Sequence, residues 1–314
     1  MGQGNILKGL KTSAFKVFVL LVKPLWGKGL GNFPPIRAIY RYLYRILVIR
    51  QDLLLQVHGY KMFVLASNYD AVSPQLLFGG SYEKYETTLF QELVTEGMNV
   101  IDIGANIGYY TLLAAKLVGN KGKVFAFEPE PENYALLVRN IKLNGCENVI
   151  PIRKAVSSRT GKADLFLNKA SGAHGFLADR EDIIGVTTVE TVSLDEYFEG
   201  REYPIDIIKI DVEGSELPVL LGMQNIIINN DNLKIFTEFW PWGLQKSGFS
   251  PREYWDKLVE SGFKFIYLIN EHEQRLKLTD LSSVVRYCED TSVAKLPSVN
   301  LLCAKSPLGD EYLI

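Results

Sequence analysis

The run Val100-Ile101-Asp102-Ile103-Gly104-Ala105-Asn106-Ile107-Gly108-Tyr109-Tyr110-Thr111 constrains the fold more than any other part of the chain. An apolar stretch suited to a buried strand passes through an acid into a short loop, and a helical pattern begins near Ile107. Gly104 and Gly108 permit positive φ, or a close backbone approach where a side chain would clash. Strand, glycine-bearing turn and helix in that order form the ligand loop at the carboxyl end of the first strand of an open α/β sheet.

The loop does not fit a dinucleotide. That fingerprint needs glycine at the first, third and sixth positions. Counting from Gly104, the third position is Asn106 and the sixth is Tyr109. Asp102 would repel a pyrophosphate and attract an ammonium or sulfonium cation. S-adenosylmethionine carries both cations and no phosphate, so it is the expected cofactor, and an NAD-dependent oxidoreductase is disfavoured. A second strand, 123–127, ends in Glu128-Pro129, 24 residues beyond Gly104. An acid at about that spacing grips ribose hydroxyls. The plainer alternative is an acid capping the helix that starts near Pro131.

Further on, Tyr203-Pro204-Ile205-Asp206-Ile207-Ile208-Lys209-Ile210-Asp211-Val212-Glu213-Gly214-Ser215-Glu216 repeats the strand–acid–glycine–helix pattern. Asp211 falls at the carboxyl end of a strand expected beside the first one. With these pieces the chain resembles the FkbM-type family of S-adenosylmethionine-dependent methyltransferases over residues 80–305. The matching pieces are Asp102–Thr111, Phe127-Glu128-Pro129, Ile208–Glu216 and the leader from Tyr82-Glu83 to Phe90. The resemblance implies a Rossmann-like class I methyltransferase fold, α/β, with a seven-stranded, mostly parallel sheet whose last strand is antiparallel. It also implies O-methylation of hydroxyls on sugars, glycans or glycolipids. Two alternatives stay open: an N-methyltransferase, and a non-catalytic cofactor- or lipid-binding protein at a membrane surface. The Asn/Asp-Pro-Pro-aromatic loop often used on nitrogen is absent at 211–214, which counts against the first.

Cofactor contacts are expected from Asp102, Gly104, Asn106, Gly108, Tyr109, Thr111, Glu128 and Asp211. By position in the fold, Ala155 and Val156 would border the adenine. The chemistry needs an in-line displacement and removal of one proton. Asp211 is the first candidate base. His174 is the second, in a loop of small residues, although a solvent-exposed turn residue is the plainer reading. Glu213 would orient the acceptor, or simply complement a helix dipole. Asp211, Glu213 and Glu238 together raise a divalent metal as a minority alternative, since hard cations favour clustered carboxylates. Trp240-Pro241-Trp242 suits stacking on a sugar ring or, equally, a rim of core aromatics.

An apolar fraction of 47% with 22% charged residues describes a globular chain with a sizeable core. Cys146, Cys288 and Cys303 are widely spaced, form no zinc pattern and suggest a reducing, cytoplasmic setting. Charge is lopsided: residues 1–50 carry nine Lys/Arg and no acid, while the remainder carries 25 basic and 36 acidic residues. The apolar run 14–22 is too short and interrupted to span a bilayer. Basic and apolar residues together suit a helix lying on an anionic membrane, peripheral at its inner face; the alternative is an arm packed on the acidic body. Nucleic acid is not expected as a partner.

The expected organisation is therefore a basic arm and hairpin over 1–80 and a methyltransferase domain over 81–314. A basic helix is read at 36–48, and a hairpin turns at His58-Gly59. Helices follow at 84–94, 107–118, 131–144, 215–228 and 251–260. Strands are expected at 99–103, 123–127, 149–153, 205–210, 233–239, 263–269 and 299–304. Residues 158–195 interrupt the alternation with an added β pair, 163–168 and 186–192, on the substrate side.

Overall fold

A computed structural model of the chain describes residues 3–26, 28, 30, 33–48, 52–65, 72–168, 183–201, 203–290 and 298–312. The contacts divide it into two compact units, one formed mainly by residues 1–82 and the other by residues from Glu83 onward.

In the first unit, α1 (Gln3–Val22) leads through a short turn (Lys23–Leu25) towards α2 (Pro34–Leu47). Prolines open α2 where the missing N–H would be unpaired anyway. Strands β1 (Asp52–Val57) and β2 (Tyr60–Leu65) form an antiparallel hairpin. Its turn residues, His58 and Gly59, have φ 48° and 86°, the left-handed pair that a two-residue hairpin requires. A helical turn, α3 (Val72–Pro74), runs on into a wider turn, Gln75–Gly79. The core of this unit is aromatic. Phe15, Phe18, Tyr44 and Phe78 are buried, and Trp26 stacks on Phe78 with ring centroids 4.9 Å apart. Helix α1 starts well before the apolar run that marked it in the sequence.

The second unit opens with α4 (Lys84–Leu93), followed by the nucleotide half. That half comprises β3 (Asn99–Ile103), α5 (Tyr109–Val118), β4 (Lys123–Phe127), α6 (Pro131–Leu143) and β5 (Val149–Ile152). The insertion supplies β6 (Ala155–Val156), β7 (Gly161–Asn168), β8 (Ile183–Val192) and α7 (Leu194–Tyr197). Strands β7 and β8 pair antiparallel, as the sequence suggested, and β6 joins the end of β8 in parallel. The other half runs β9 (Ile207–Ile210), α8 (Glu216–Leu221), α9 (Gln224–Asn229), β10 (Lys234–Phe239), α10 (Pro241–Lys246) and α11 (Pro251–Glu260). It ends with β11 (Phe265–Asn270), β12 (Arg275–Leu278), α12 (Leu281–Asp290) and β13 (Val299–Ala304).

The main sheet has the order β12-β11-β13-β10-β9-β3-β4-β5. The links β5–β4–β3–β9–β10 are parallel, and β13 runs antiparallel between β10 and β11. Eight strands replace the seven expected. The extra one, β12, folds back on β11 through residues 271–274, which contain neither glycine nor proline. The Asn270 side chain makes that turn by accepting the amides of His272 and Glu273 (3.1 and 2.9 Å). The helix expected over 215–228 is broken into α8 and α9 at Gly222. A Cβ there would meet the Ser157 carbonyl oxygen at 2.0 Å, so the insertion passes directly over the break.

Candidate active site

The carboxyl ends of β3, β4, β9 and β10 gather the residues singled out in the sequence. Gly104 has φ 81° and Gly108 φ 96°, and Asn106 between them is also left-handed at 49°. The Gly104 and Ala105 amides both donate to the Phe127 carbonyl at 3.0 Å, tying the loop to β4. A Cβ on Gly108 would stand 2.7 Å from Leu137 of α6. Positive φ and close packing both explain these glycines.

Glu128 is buried at the end of β4. One carboxylate oxygen accepts the Asn106 amide at 2.8 Å and the other accepts the Glu130 amide at 2.9 Å. Burial pushes its carboxyl up to about 8 despite those two bonds. A carboxylate offers about four acceptor positions, so two are filled by the chain and two suit a pair of vicinal hydroxyls. The cofactor's ribose fits that donor set. The capping alternative fails, because Glu130, not Glu128, accepts the Asn133 amide at the start of α6.

Asp102 and Thr111 form a closed pair. Thr111 donates its hydroxyl to Asp102 at 2.5 Å, both are buried, and burial pushes the Asp102 carboxyl up to about 6. Tyr109 is buried too, its hydroxyl 3.0 Å from that of Thr87 on α4. The hydroxyls of Tyr109 and Thr111 are thus occupied within the protein, and these two residues support the loop from below. Ala155 and Val156 are buried in β6, Ala155 with Leu165 and Val189, Val156 in the main core.

Asp211 ends β9 and is a partly open carboxylate, its side chain 31% exposed. Its amide donates to the Ile103 carbonyl at 3.0 Å. Around it stand Glu213, Glu216 and Glu238. Glu213 takes a left-handed φ of 53°. Glu216 is fully buried, accepts the Gly214 amide at 3.0 Å and is pushed by burial up to about 7. It is a brace for the turn rather than a substrate contact. Burial, then the charges of Glu213, Asp211 and Glu216, raise the Glu238 carboxyl well above its usual range. Among the described residues no group of three or more His, Cys, Asp or Glu is placed to hold a metal ion. The strand ends bring the carboxylates near one another without converging them. His174 lies outside the described residues.

Gly214 (φ 94°) presses on α10, and a Cβ on it would meet the Gly243 carbonyl carbon at 2.7 Å. This contact sets the Asp211–Gly214 turn beside Trp240 and Trp242, whose rings lie 5.1 Å apart. The Lys246 ammonium sits 5.6 Å from the Trp242 ring centroid. Sequence reasoning missed Lys209, which is buried at 1% exposure, 3.0 Å from Glu86 and 3.8 Å from Asp211. Its signal was there: a lone lysine in the run Ile207-Ile208-Lys209-Ile210, a strand buried along its whole length.

A mostly parallel sheet with antiparallel β13 inserted beside β10, a ribose-competent acid after β4 and a glycine loop after β3 defines an S-adenosylmethionine-dependent methyltransferase of class I. Residues 102–265 match the Methyltransferase FkbM domain, and the chain belongs to that family. It is 32% identical over 183 residues to the hexuronic acid methyltransferase AglP of Haloferax volcanii, a match covering 57% of this chain and 71% of that protein. It is 29% identical over 156 residues to the methyltransferase sdnD of Sordaria araneosa, covering 40% of this chain and 60% of that one. Among solved structures, a methyltransferase FkbM from Methylobacillus flagellatus is similar over 67% of this chain and 44% of its own length, at 16% identity and a TM-score of 0.41. The chain therefore spans less than two-thirds of the second and third of these proteins.

Proposed function

We propose that this methyltransferase transfers the methyl group to a hydroxyl oxygen of a sugar, glycan or glycolipid, with Asp211 as general base. The observation that carries this reading is the placement of Asp211: a partly open carboxylate at the end of β9, packed against the cofactor loop through Gly104. When bound, S-adenosylmethionine supplies an electrophilic methyl group on a sulfonium. Glu128 would hold its ribose, and the loop from Gly104 to Gly108 would lie along the nucleoside. The acceptor hydroxyl gives its proton to Asp211, within about 3 Å or through one water. Glu213, on the same turn, would accept a second acceptor hydroxyl. Trp240 and Trp242 offer apolar faces to a sugar ring. The hexuronic acid named for the Haloferax volcanii relative supports a sugar as acceptor.

The test is a panel of p-nitrophenyl glycosides, glucuronide included, incubated with S-adenosylmethionine bearing a 13C-methyl group. A new methyl ether signal by NMR is expected. A methyl ester on the glucuronide, or a methylamine on an amino sugar, would overturn the hydroxyl assignment.

A second proposal concerns residues 1–50. Val17, Leu20 and Leu21 of α1 and Ile36, Ile39, Leu43 and Ile46 of α2 are exposed, Leu20 to 70%. On α2 those four recur at helical spacing, while Arg37 and Arg41 stand exposed on the other side. An amphipathic helix with a basic polar side and an aliphatic opposite side suits an anionic bilayer surface. Among the described residues no helix is long and apolar enough to cross a membrane. Peripheral attachment is the reading this pattern supports. Flotation with phosphatidylglycerol vesicles at low salt tests it, and a chain that stays at the bottom of the gradient would return the arm to a packing role.

A further inference from the structure

Lys209 occupies a position where an ammonium is costly. Ile207, Ile208 and Ile210 around it are fully buried, and Lys209 itself ranks among the most buried large side chains. Apolar side chains at buried ion-pair positions are often as stable or more so, so packing alone gives no reason for this residue. Its surroundings do. Glu86 of α4 lies 3.0 Å from the ammonium and forms an ion pair with it. Asp211 lies at 3.8 Å, Glu83 at 3.9 Å, and the Tyr110 ring centroid at 5.0 Å. Burial works against the charge, but Glu86, Glu83 and Asp211 outweigh it and hold the amine protonated.

Other elements lock the carboxylates in place. Glu83, in a left-handed conformation (φ 41°), accepts from Asn300 of β13 at 2.7 Å and from the Tyr110 hydroxyl at 3.0 Å. The carboxylate of Glu271, at the end of β11, accepts the amides of Tyr85 and Glu86 at 3.0 and 2.7 Å. Asp102, closed by Thr111, also feels the ammonium. Of the three carboxylates paired with Lys209, Glu86 is fully buried and Glu83 is 18% exposed, while Asp211 is the most open at 31%. Glu216 and Glu238 stand close enough to Asp211 to feel its charge. Without a cation behind it, a carboxylate so surrounded by acids would turn away towards water.

We propose that Lys209 is a positioning residue: held by Glu86 and Glu83, its ammonium fixes the Asp211 carboxylate in the orientation that receives the acceptor's proton. The inference rests on the reading of Asp211 as the base. It also gives the leader helix α4 a part in the site, because Glu86 is the closest counter-charge of the lysine.

The full-length chain carrying Lys209→Met or Lys209→Arg is titrated calorimetrically with S-adenosylhomocysteine and crystallised with it. Turnover is followed on p-nitrophenyl β-D-glucuronide. The Met variant is expected to bind S-adenosylhomocysteine within about threefold of the parent, a fraction of a kcal/mol. Its Asp211 carboxylate should be displaced by about 1 Å or more, and kcat should fall by about 100-fold at unchanged KM for the methyl donor. The Arg variant should recover part of both. An unmoved Asp211 carboxylate in the Met complex would overturn the proposal, as would an affinity that falls in proportion to turnover. Should the Met variant fail to fold, Glu86→Gln, which removes the nearest counter-charge and keeps the lysine, gives the same readouts. A displaced Asp211 together with full turnover in Asp211→Asn would sink the base assignment and leave the positioning role standing.

Discussion

Gly104 lies so close to Asp211 that a Cβ on the glycine would stand 1.9 Å from the Asp211 carbonyl oxygen. The turn after β3 and the turn after β9 are therefore packed backbone to backbone, and the glycine loop and the proposed base are held in register by the absence of one methyl group. Gly104→Ala must move one turn and also place alanine at φ 81°. The expected loss is about 2 kcal/mol or more, with S-adenosylhomocysteine affinity falling alongside. Denaturant unfolding and calorimetric titration of the same preparation check both.

Removing the Glu128 side chain takes away the proposed acceptor for two ribose hydroxyls. Glu128→Ala should weaken S-adenosylmethionine and S-adenosylhomocysteine by about tenfold to a hundredfold, the value of two hydrogen bonds. NAD should not bind either protein. Isothermal titration gives the answer directly.

Asp211→Asn keeps the shape of the turn and removes the proposed base. Methyl transfer should fall by about 100- to 10,000-fold, with cofactor affinity nearly unchanged. Retained turnover would move the proton's destination elsewhere.

Burial pushes several carboxyls up, among them Asp102 to about 6, Glu216 to about 7 and Glu128 to about 8. A group with a raised value holds its proton more tightly when folded than when unfolded. Between the ordinary carboxyl range and the raised value, folding therefore takes up protons, and stability falls as pH rises. The ligand-free protein should melt highest under mildly acidic conditions and progressively lower towards pH about 8. Glu128→Gln should flatten the upper part of that decline, as scanning calorimetry across the range would show.

Leu20→Asp combined with Leu21→Asp places two charges on the exposed side of α1 while leaving the buried Phe15 and Phe18 untouched. Vesicle flotation should be lost in this variant. In the parent it should weaken as salt is raised, because basic residues contribute through a screened field.

The strand–loop–helix run at 100–111 and the acids Glu128 and Asp211 were legible because each combines a buried strand with a polar group at its carboxyl end. Periodicity carries that signal. The break at Gly222 was not legible, since its cause is the Ser157 carbonyl passing overhead, a contact made by a segment far away in the chain. Strand β12 was missed because an asparagine side chain, not a glycine or proline, turns the chain at 271–274. Thr111 and Tyr109 read as ligand contacts because they follow the loop. The structure turns their hydroxyls inward, to Asp102 and Thr87. Lys209 was the clearest oversight. A charge inside an all-isoleucine strand marks a buried pair, but its partners, Glu83 and Glu86, sit more than a hundred residues earlier.

Strand β13 fills the slot between β10 and β11. During synthesis, residues 299–304 must emerge before β11 can enter the sheet at all, so β10 presents an open, aggregation-prone edge while some sixty residues are still being added. The β5–β4–β3–β9 block, whose strands have all been synthesised by then, can assemble during that wait. Asn300 arrives on β13 and completes the hold on Glu83. A nascent chain would thus hold a formed glycine loop well before Glu83, and through Lys209 the proposed base, is locked in place, and a ribosome stalled within this stretch would display the one without the other.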